Sequence, residues 1–345
     1  MIMDRLTIPH FSHKAAQAAQ ARLDSLAKVP GSLGVLEDLV VRLAGITDKE
    51  CPSFPSKALV LFAADHDIAL KGVSATGQEV TEIQVRNFCR GGGTINAFCR
   101  NMGASFTAVD VAMKNDVDCE GLVKRKVMYA AHDFSEGPAM TKEEARACIQ
   151  VGIDMARDQA AKGVTMLAAG EMGIGNTSPS TAITAVLTGM TVEEATGIGS
   201  IIPPERLRVK AELIKQGIEL NKPDPNDALD VLAKVGGPEI GAMAGLMIGG
   251  ASLRIPVIID GFIAGAAAAI AIGLYPEIKE LLIGSHVSYE PGHIALMKYV
   301  GAPTFYNFGM RLGEGTGAVL LFPHIDAAVR ILTEMPTLKE LDIVR

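Results

Sequence analysis

The sequence predicts an α/β fold: a doubly wound, mostly parallel sheet flanked by helices, with a smaller helical domain. Three observations carry this expectation. Four apolar runs lack alternation: Lys57–Ala64, Ser105–Val109, Gly163–Ala169 and Ile255–Ile259. A carboxylate stands at or just past the end of each, at Asp65, Asp110, Glu171 and Asp260. Helical periodicity follows each run, at once or after a loop. Strands covered on both faces read as unbroken apolar runs, and strands alternating with helices build a parallel sheet. Such sheets bind ligands at the carboxyl ends of their strands, where the acids gather.

The elements follow in chain order. Residues 11–27 and 33–46 read as two helices joined at Pro30-Gly31-Ser32-Leu33-Gly34. After the first strand, helical spacing runs from Val80 to Arg100, with Arg90-Gly91-Gly92-Gly93-Thr94 ending or interrupting it. That glycine stretch suits either an approach to phosphate or close packing. Further helices are expected over 142–161, 179–187 and 262–274, with a turn at Asn221–Asp227 around Pro223 and Pro225. The expected domains are residues 1–50 plus about 333–345, small and helical, and residues 51–332, large and Rossmann-like.

With 345 residues, 48% of them hydrophobic, the chain can bury a large core. Thirty-six glycines and no Trp suit close helix-to-strand packing. A net charge of −7 disfavours nucleic acid and anionic membranes as partners. Five cysteines without a Cys-x-x-Cys pair read as reduced, mostly buried thiols of a cytoplasmic protein. Residues 1–27 are polar and helical in pattern, unlike a secretory signal. The apolar stretch 261–274 is too short and too rich in Ala and Gly for a membrane span.

Four segments carry candidate chemistry. In Arg311-Leu312-Gly313-Glu314-Gly315-Thr316-Gly317-Ala318, glycines clear the space around one carboxylate. A partly dry pocket would raise its pKa and make Glu314 a better general base. The same residues also fit an acid in the first turn of a helix. In Ala169–Ser178, Gly173 and Gly175 let backbone N–H groups converge, and Asn176, Thr177 and Ser178 add donors at a helix start, a place for phosphate. Glu171 there can accept from ribose hydroxyls. Around Asp65-His66-Asp67, the acid and imidazole can bind a metal, orient a neighbour or pair with each other. Ser74, Gln78 and Gln84 can hydrogen-bond a heteroaromatic ring. Fourth, Ser285–His293 holds His286, Glu290 and His293, which suit a metal, a substrate-lining loop or a capping turn, although Pro291-Gly292 breaks their helical alignment. Lys210 lies on an expected helix, as a solvated face residue or within reach of an anion.

Taken in order, these segments resemble the nicotinate-nucleotide:dimethylbenzimidazole phosphoribosyltransferases, which build the lower-ligand nucleotide of cobalamin. The resemblance runs from Pro30-Gly31-Ser32-Leu33-Gly34 through Ala64-Asp65-His66, Gly72-Val73-Ser74, Gly170–Thr177 and Ser285-His286 to Arg311–Gly315. It implies a two-domain homodimer moving phosphoribose from nicotinate mononucleotide to a benzimidazole-type base, with no metal or other cofactor. By resemblance Glu314 takes the catalytic-base position. Glu171, Gly173, Gly175, Asn176, Thr177 and Lys210 fall to the nucleotide, and Ser74, Gln84 and Leu312 to the base. Asp67 and Gly77 depart from the family pattern, where glycine and proline are expected. Both lie near the base pocket, so adenine, other benzimidazoles and phenols stay open as acceptors. The rival readings are a metal-dependent hydrolase using Asp65, His66, Asp67, His286 and His293, and a nucleotide sensor without turnover.

Overall fold

A computed structural model describes residues 6–199 and 202–343. The start of the expected N-terminal helical pattern, residues 1–5, lies outside them. Two helices open the fold, α1 (His13–Ser25) and α2 (Val35–Thr47), separated by the exposed Pro30–Gly34 turn. Strand β1 (Lys57–Ala64) follows, buried at every position.

The Val80–Arg100 pattern is two helices, α3 (Glu79–Cys89) and α4 (Thr94–Asn101). Gly91 takes a φ of +76°, and Gly93 caps α4, its N–H donating to Asn96 Oδ1 (3.0 Å). A Cβ on Gly93 would overlap the Phe88 ring, so that glycine stretch serves close packing. Then come β2 (Ser105–Ala112), β3 (Leu122–Lys124), α5 (Lys142–Ala161), β4 (Met166–Met172), α6 (Thr177–Thr188), α7 (Val192–Ala195), α8 (Pro204–Asn221) and α9 (Ala228–Val235). The chain closes with α10 (Pro238–Ser252), β5 (Val257–Ile259), α11 (Phe262–Leu274), β6 (Leu282–Gly284), α12 (His293–Val300) and α13 (Thr316–Glu334).

Three expected strand boundaries move. β2 runs on through Asp110 to Ala112. β4 starts at Met166, because Gly163 (φ +81°) is still closing the end of α5. Glu171 therefore belongs to the strand. β5 starts at Val257, two residues later than expected. The three-residue strands β3 and β6 were not legible, being too short to show a pattern.

All six strands are parallel, in the order β3-β2-β1-β4-β5-β6. The winding reverses between β1 and β4, which places a crevice at their carboxyl ends. Against one face, α5 crosses α10 backbone to backbone: a Cβ on Gly152 would overlap the Ala242 carbonyl oxygen, and one on Gly245 that of Ile149. Gly152→Ala should therefore destabilise the protein by about 1–3 kcal/mol through overpacking, against about 1 kcal/mol of helix propensity gained. Urea unfolding measures the difference; an unchanged or raised midpoint would contradict this packing.

The chain's two ends meet. The Ala27 N–H donates to Pro336 O and the Leu338 N–H to Ser25 O (both 2.9 Å), while Arg22 Nε donates to Leu332 O (3.1 Å). Leu23, Leu39, Leu43 and Leu332 share one continuous apolar core with Leu59 and Phe62 of β1. Among the described residues, α13 is the one helix long and apolar enough to cross a membrane, and half of it is buried inside the protein.

Candidate active site

Strand ends and helix starts converge on a cavity of about 370 Å³. Its walls include Glu171 at the end of β4, Gly173, Gly175, Asn176 and Thr177 after it, and Asp260 to Ala264 after β5. Ser74 and Gln84 come from the α3 side, and Arg311 to Glu314 precede α13.

Glu314 stands before α13 rather than in its first turn, because Gly315 is the residue that caps that helix. Gly313, Glu314 and Gly315 take φ values of +82°, +62° and +83°. For the non-glycine Glu314 that conformation carries strain, which surrounding bonds must offset. Asp260 supplies them from the end of β5: its carboxylate accepts from the N–H groups of Gly315 (3.1 Å) and Ala318 (3.0 Å). Glu171 accepts from the Glu314 N–H (3.3 Å). Burial is the main force lifting the Glu314 carboxyl to about 7. The charge of Asp260 adds to it, and the Ile95 amide at the start of α4 opposes it. Glu314 Oε2 is buried without a hydrogen-bond partner. A carboxylate held this way is poised to take a proton near neutral pH.

The loop after β4 is packed tightly. A Cβ on Gly173 would sit 2.7 Å from Ala64 O, and Gly175 takes a φ of +97°. Thr81 Oγ1 accepts from the Ile174 N–H (3.2 Å) and pins the loop to α3. Asn176 Nδ2 donates to the Glu171 carboxylate. Burial above all, then the charges of Asp260 and Glu239, lift Glu171 to about 8. At neutral pH it is mostly protonated and can donate a hydrogen bond.

Lys210 is not a solvated face residue. It is fully buried on α8, behind the cavity wall, and its Nζ donates to Thr177 Oγ1 (2.8 Å) and Gly197 O (3.2 Å). Burial lowers its pKa to about 8, with the Glu290 charge opposing.

The Asp65-His66-Asp67 cluster is committed to internal contacts. His66 pairs with Glu239 on α10 (2.9 Å), not with Asp65. Burial alone would lower His66, but the charge and hydrogen bond of Glu239 raise it above its ordinary value. Asp65 accepts from the Lys114 N–H (2.8 Å). Gln78 does not line the cavity; its amide donates to His66 O (2.6 Å) and accepts from Lys114 Nζ (3.2 Å). His286 and His293 follow β6, on the far side of the sheet order. Burial pushes both down to about 4, so both are neutral. His286 Nδ1 meets Ser285 Oγ (3.0 Å) and His293 Nε2 meets His286 O (3.0 Å). These residues lie in two separate places, and among the described residues no three His, Cys, Asp or Glu side chains stand where they could hold a metal ion. The hydrolase reading loses its ligand set.

Toward α3, Ser74 and Gln84 line the cavity with Val73 and Val80, and Phe262 and Ile263 also line it. Leu312 is 53% exposed. Glu239 and the capping role of Asp260 escaped the sequence. Strand-end position pointed to Asp260, but what it holds, 55 residues away, is set by the fold.

A crevice of mixed apolar and polar walls at the reversal point of a doubly wound sheet, floored by a glycine-rich loop and a helix start, suits a nucleotide-handling enzyme. Residues 8–343 match the family model described as phosphoribosyltransferase, and the chain belongs to that family. It is 48% identical to the nicotinate-nucleotide–dimethylbenzimidazole phosphoribosyltransferase of Desulforamulus reducens, over 94% of this chain and 93% of that one. The protein of the same name from Acetivibrio thermocellus is 44% identical, over 93% and 92%. Among solved structures, CobT from Thermus thermophilus superposes with a TM-score of 0.92 at 39% identity, covering 96% of this chain and 99% of that one.

Proposed function

We propose that this protein transfers phosphoribose from nicotinate mononucleotide to 5,6-dimethylbenzimidazole or a related lower-ligand base. Glu314 acts as general base, and the products are alpha-ribazole 5'-phosphate and nicotinate. The observation that carries the reading is Glu314 itself, buried at a cavity wall with one oxygen unpartnered and its pKa near 7. The relatives' names supply the substrates.

The chemistry suits one carboxylate. Nicotinate leaves as a neutral ring nitrogen from a cationic pyridinium and needs no acid. Positive charge develops at the ribose carbon, as in other oxocarbenium-like displacements. The incoming base attacks through one nitrogen and must lose the proton on the other. Glu314 takes that proton and offsets the developing cation. Attack from the side opposite the leaving ring inverts the anomeric carbon from beta to alpha.

The other walls divide the work. The 173–177 loop and the start of α6 receive the phosphate, with Gly173, Gly175, Asn176 and Thr177 around it and Lys210 bracing Thr177 from behind. Glu171, largely protonated at neutral pH, faces the ribose as a donor without repelling the phosphate. Ser74, Gln84 and Leu312 bound the acceptor ring. Active protein is proposed to be a homodimer, with residues 1–50 and 333–345 as a helical appendage; sedimentation showing a stable monomer would remove the dimer.

Incubation with nicotinate mononucleotide and dimethylbenzimidazole should release nicotinate, read by chromatography, with an alpha-configured product by NMR. No release, or a beta product, would refute the assignment. Competing dimethylbenzimidazole, adenine and a phenol in one tube ranks the acceptors.

A further inference from the structure

Helix α3 is laid against the loop between β2 and β3 at three points. Asn115 Nδ2 donates to Glu82 Oε2 (3.1 Å), and Arg86 Nη1 donates to Asp118 O (3.0 Å). Cys89 Sγ and Cys119 Sγ lie 3.0 Å apart. Residues 82, 86 and 89 recur at helical spacing and share one face. Val80 and Gln84, one turn apart on the same helix, line the cavity. Spacing alone makes the five cysteines separate buried thiols. The fold instead joins two that are 30 residues apart, both half-buried and reduced.

We propose that Cys89 and Cys119 are a site of reversible covalent modification: they close to a disulfide by exchange with small-molecule disulfides, clasping α3 to the loop after β2. Closure requires the sulfurs to move from 3.0 Å to about 2 Å, a shift the exposed loop can absorb. Exchange is taken to begin at Cys119, which lies on the loop side of the pair. Burial and the neighbouring Cys119 push the Cys89 thiol upward. The Cys119 thiolate attacks one sulfur of the small disulfide and releases one small thiolate, leaving a mixed disulfide. Cys89 then loses its proton and attacks Cys119 Sγ, releasing the second small thiolate. The protein gives up two protons and two electrons, and the small disulfide is reduced to two thiols. Disulfides of this kind in reducing compartments are transient and redox-sensing rather than structural.

The test uses the whole protein and glutathione disulfide. With the exposed Cys51 first replaced by Ser, titratable thiols of the denatured protein should fall from the remaining four to two, digestion should yield one linked peptide pair holding Cys89 and Cys119, and dithiothreitol should restore all four. In C89S the remaining Cys119 should instead carry a mixed disulfide. All four thiols persisting, a link to any other cysteine, or separate mixed disulfides on Cys89 and Cys119 would overturn the site. The effect on the acceptor rests on the proposed transfer reaction. On oxidation, KM for the acceptor base should shift while KM for the nucleotide holds, with no shift in C89S. A bond that forms while acceptor KM stays put refutes the clasp. A reduced protein that releases no nicotinate with any acceptor refutes the proposed function alone, because the thiol count still decides the site.

Discussion

Glu314→Gln is expected to bind nicotinate mononucleotide as the native protein does, while turnover falls by ~10²–10⁴, the range a lost general base costs. The substitution keeps the side chain's shape and the backbone N–H donated to Glu171, so the strained 313–315 turn stays held by Asp260. What disappears is the ability to accept a full proton. Pre-steady-state kinetics and isothermal calorimetry separate the two effects. Glu314→Gln at native rate would dismiss the base assignment, and loss of nucleotide binding alongside turnover would make Glu314 a positioning residue. The native protein should also lose kcat/KM toward acid, as Glu314 takes up a proton around pH 7. In Glu314→Gln that limb should vanish from whatever residual activity remains.

The second large effect is on stability against pH. Burial lifts Glu171 to about 8, and Asp260 and Glu314 to about 7. A carboxyl whose folded pKa lies above its unfolded one holds more protons in the folded state. Its contribution is full below the unfolded value and is lost as pH rises through the folded one. His66, also raised, acts in the same direction. His286 and His293, pushed down to about 4, act oppositely, but only below their ordinary value. Lys210, lowered to about 8, opposes them only as pH nears its own value, so between pH 6.5 and 7.5 the acids decide the sign and the unfolding midpoint should fall as pH rises. For Glu171 alone the loss is on the order of a few kcal/mol. Glu171→Gln, neutral at every pH, should flatten the fall. Calorimetry across that window checks it: a midpoint that rises toward pH 7.5, or a slope unchanged in Glu171→Gln, would mean these acids are ionised in the folded protein.

The cavity's make-up was legible in parts. Gly173, Gly175, Asn176, Ser74 and Glu314 stand in loops whose residue types betray them, Thr177 opens α6 and Gln84 lies within α3, and all line the cavity. Lys210 does not line the cavity, and its burial was not legible, because nothing local distinguishes a buried lysine on an amphipathic helix from an exposed one. Glu239 left no trace in the sequence: it opens α10 among small apolar residues, 173 positions from the His66 it neutralises.

Local chemistry acts over a few residues, so the chain by itself determined what short range can encode. That covers unbroken apolar strands, glycine where backbone must turn or touch, and acids at strand ends. Tertiary packing alone decided which groups face one another. Asp260 meets the start of α13, His66 meets Glu239 and Cys89 meets Cys119 across 58, 173 and 30 residues of chain, through the packing of helices and loops around the parallel sheet. The protonation of the buried acids follows from that packing too, since desolvation depends on what surrounds a group in space and not on its neighbours along the chain.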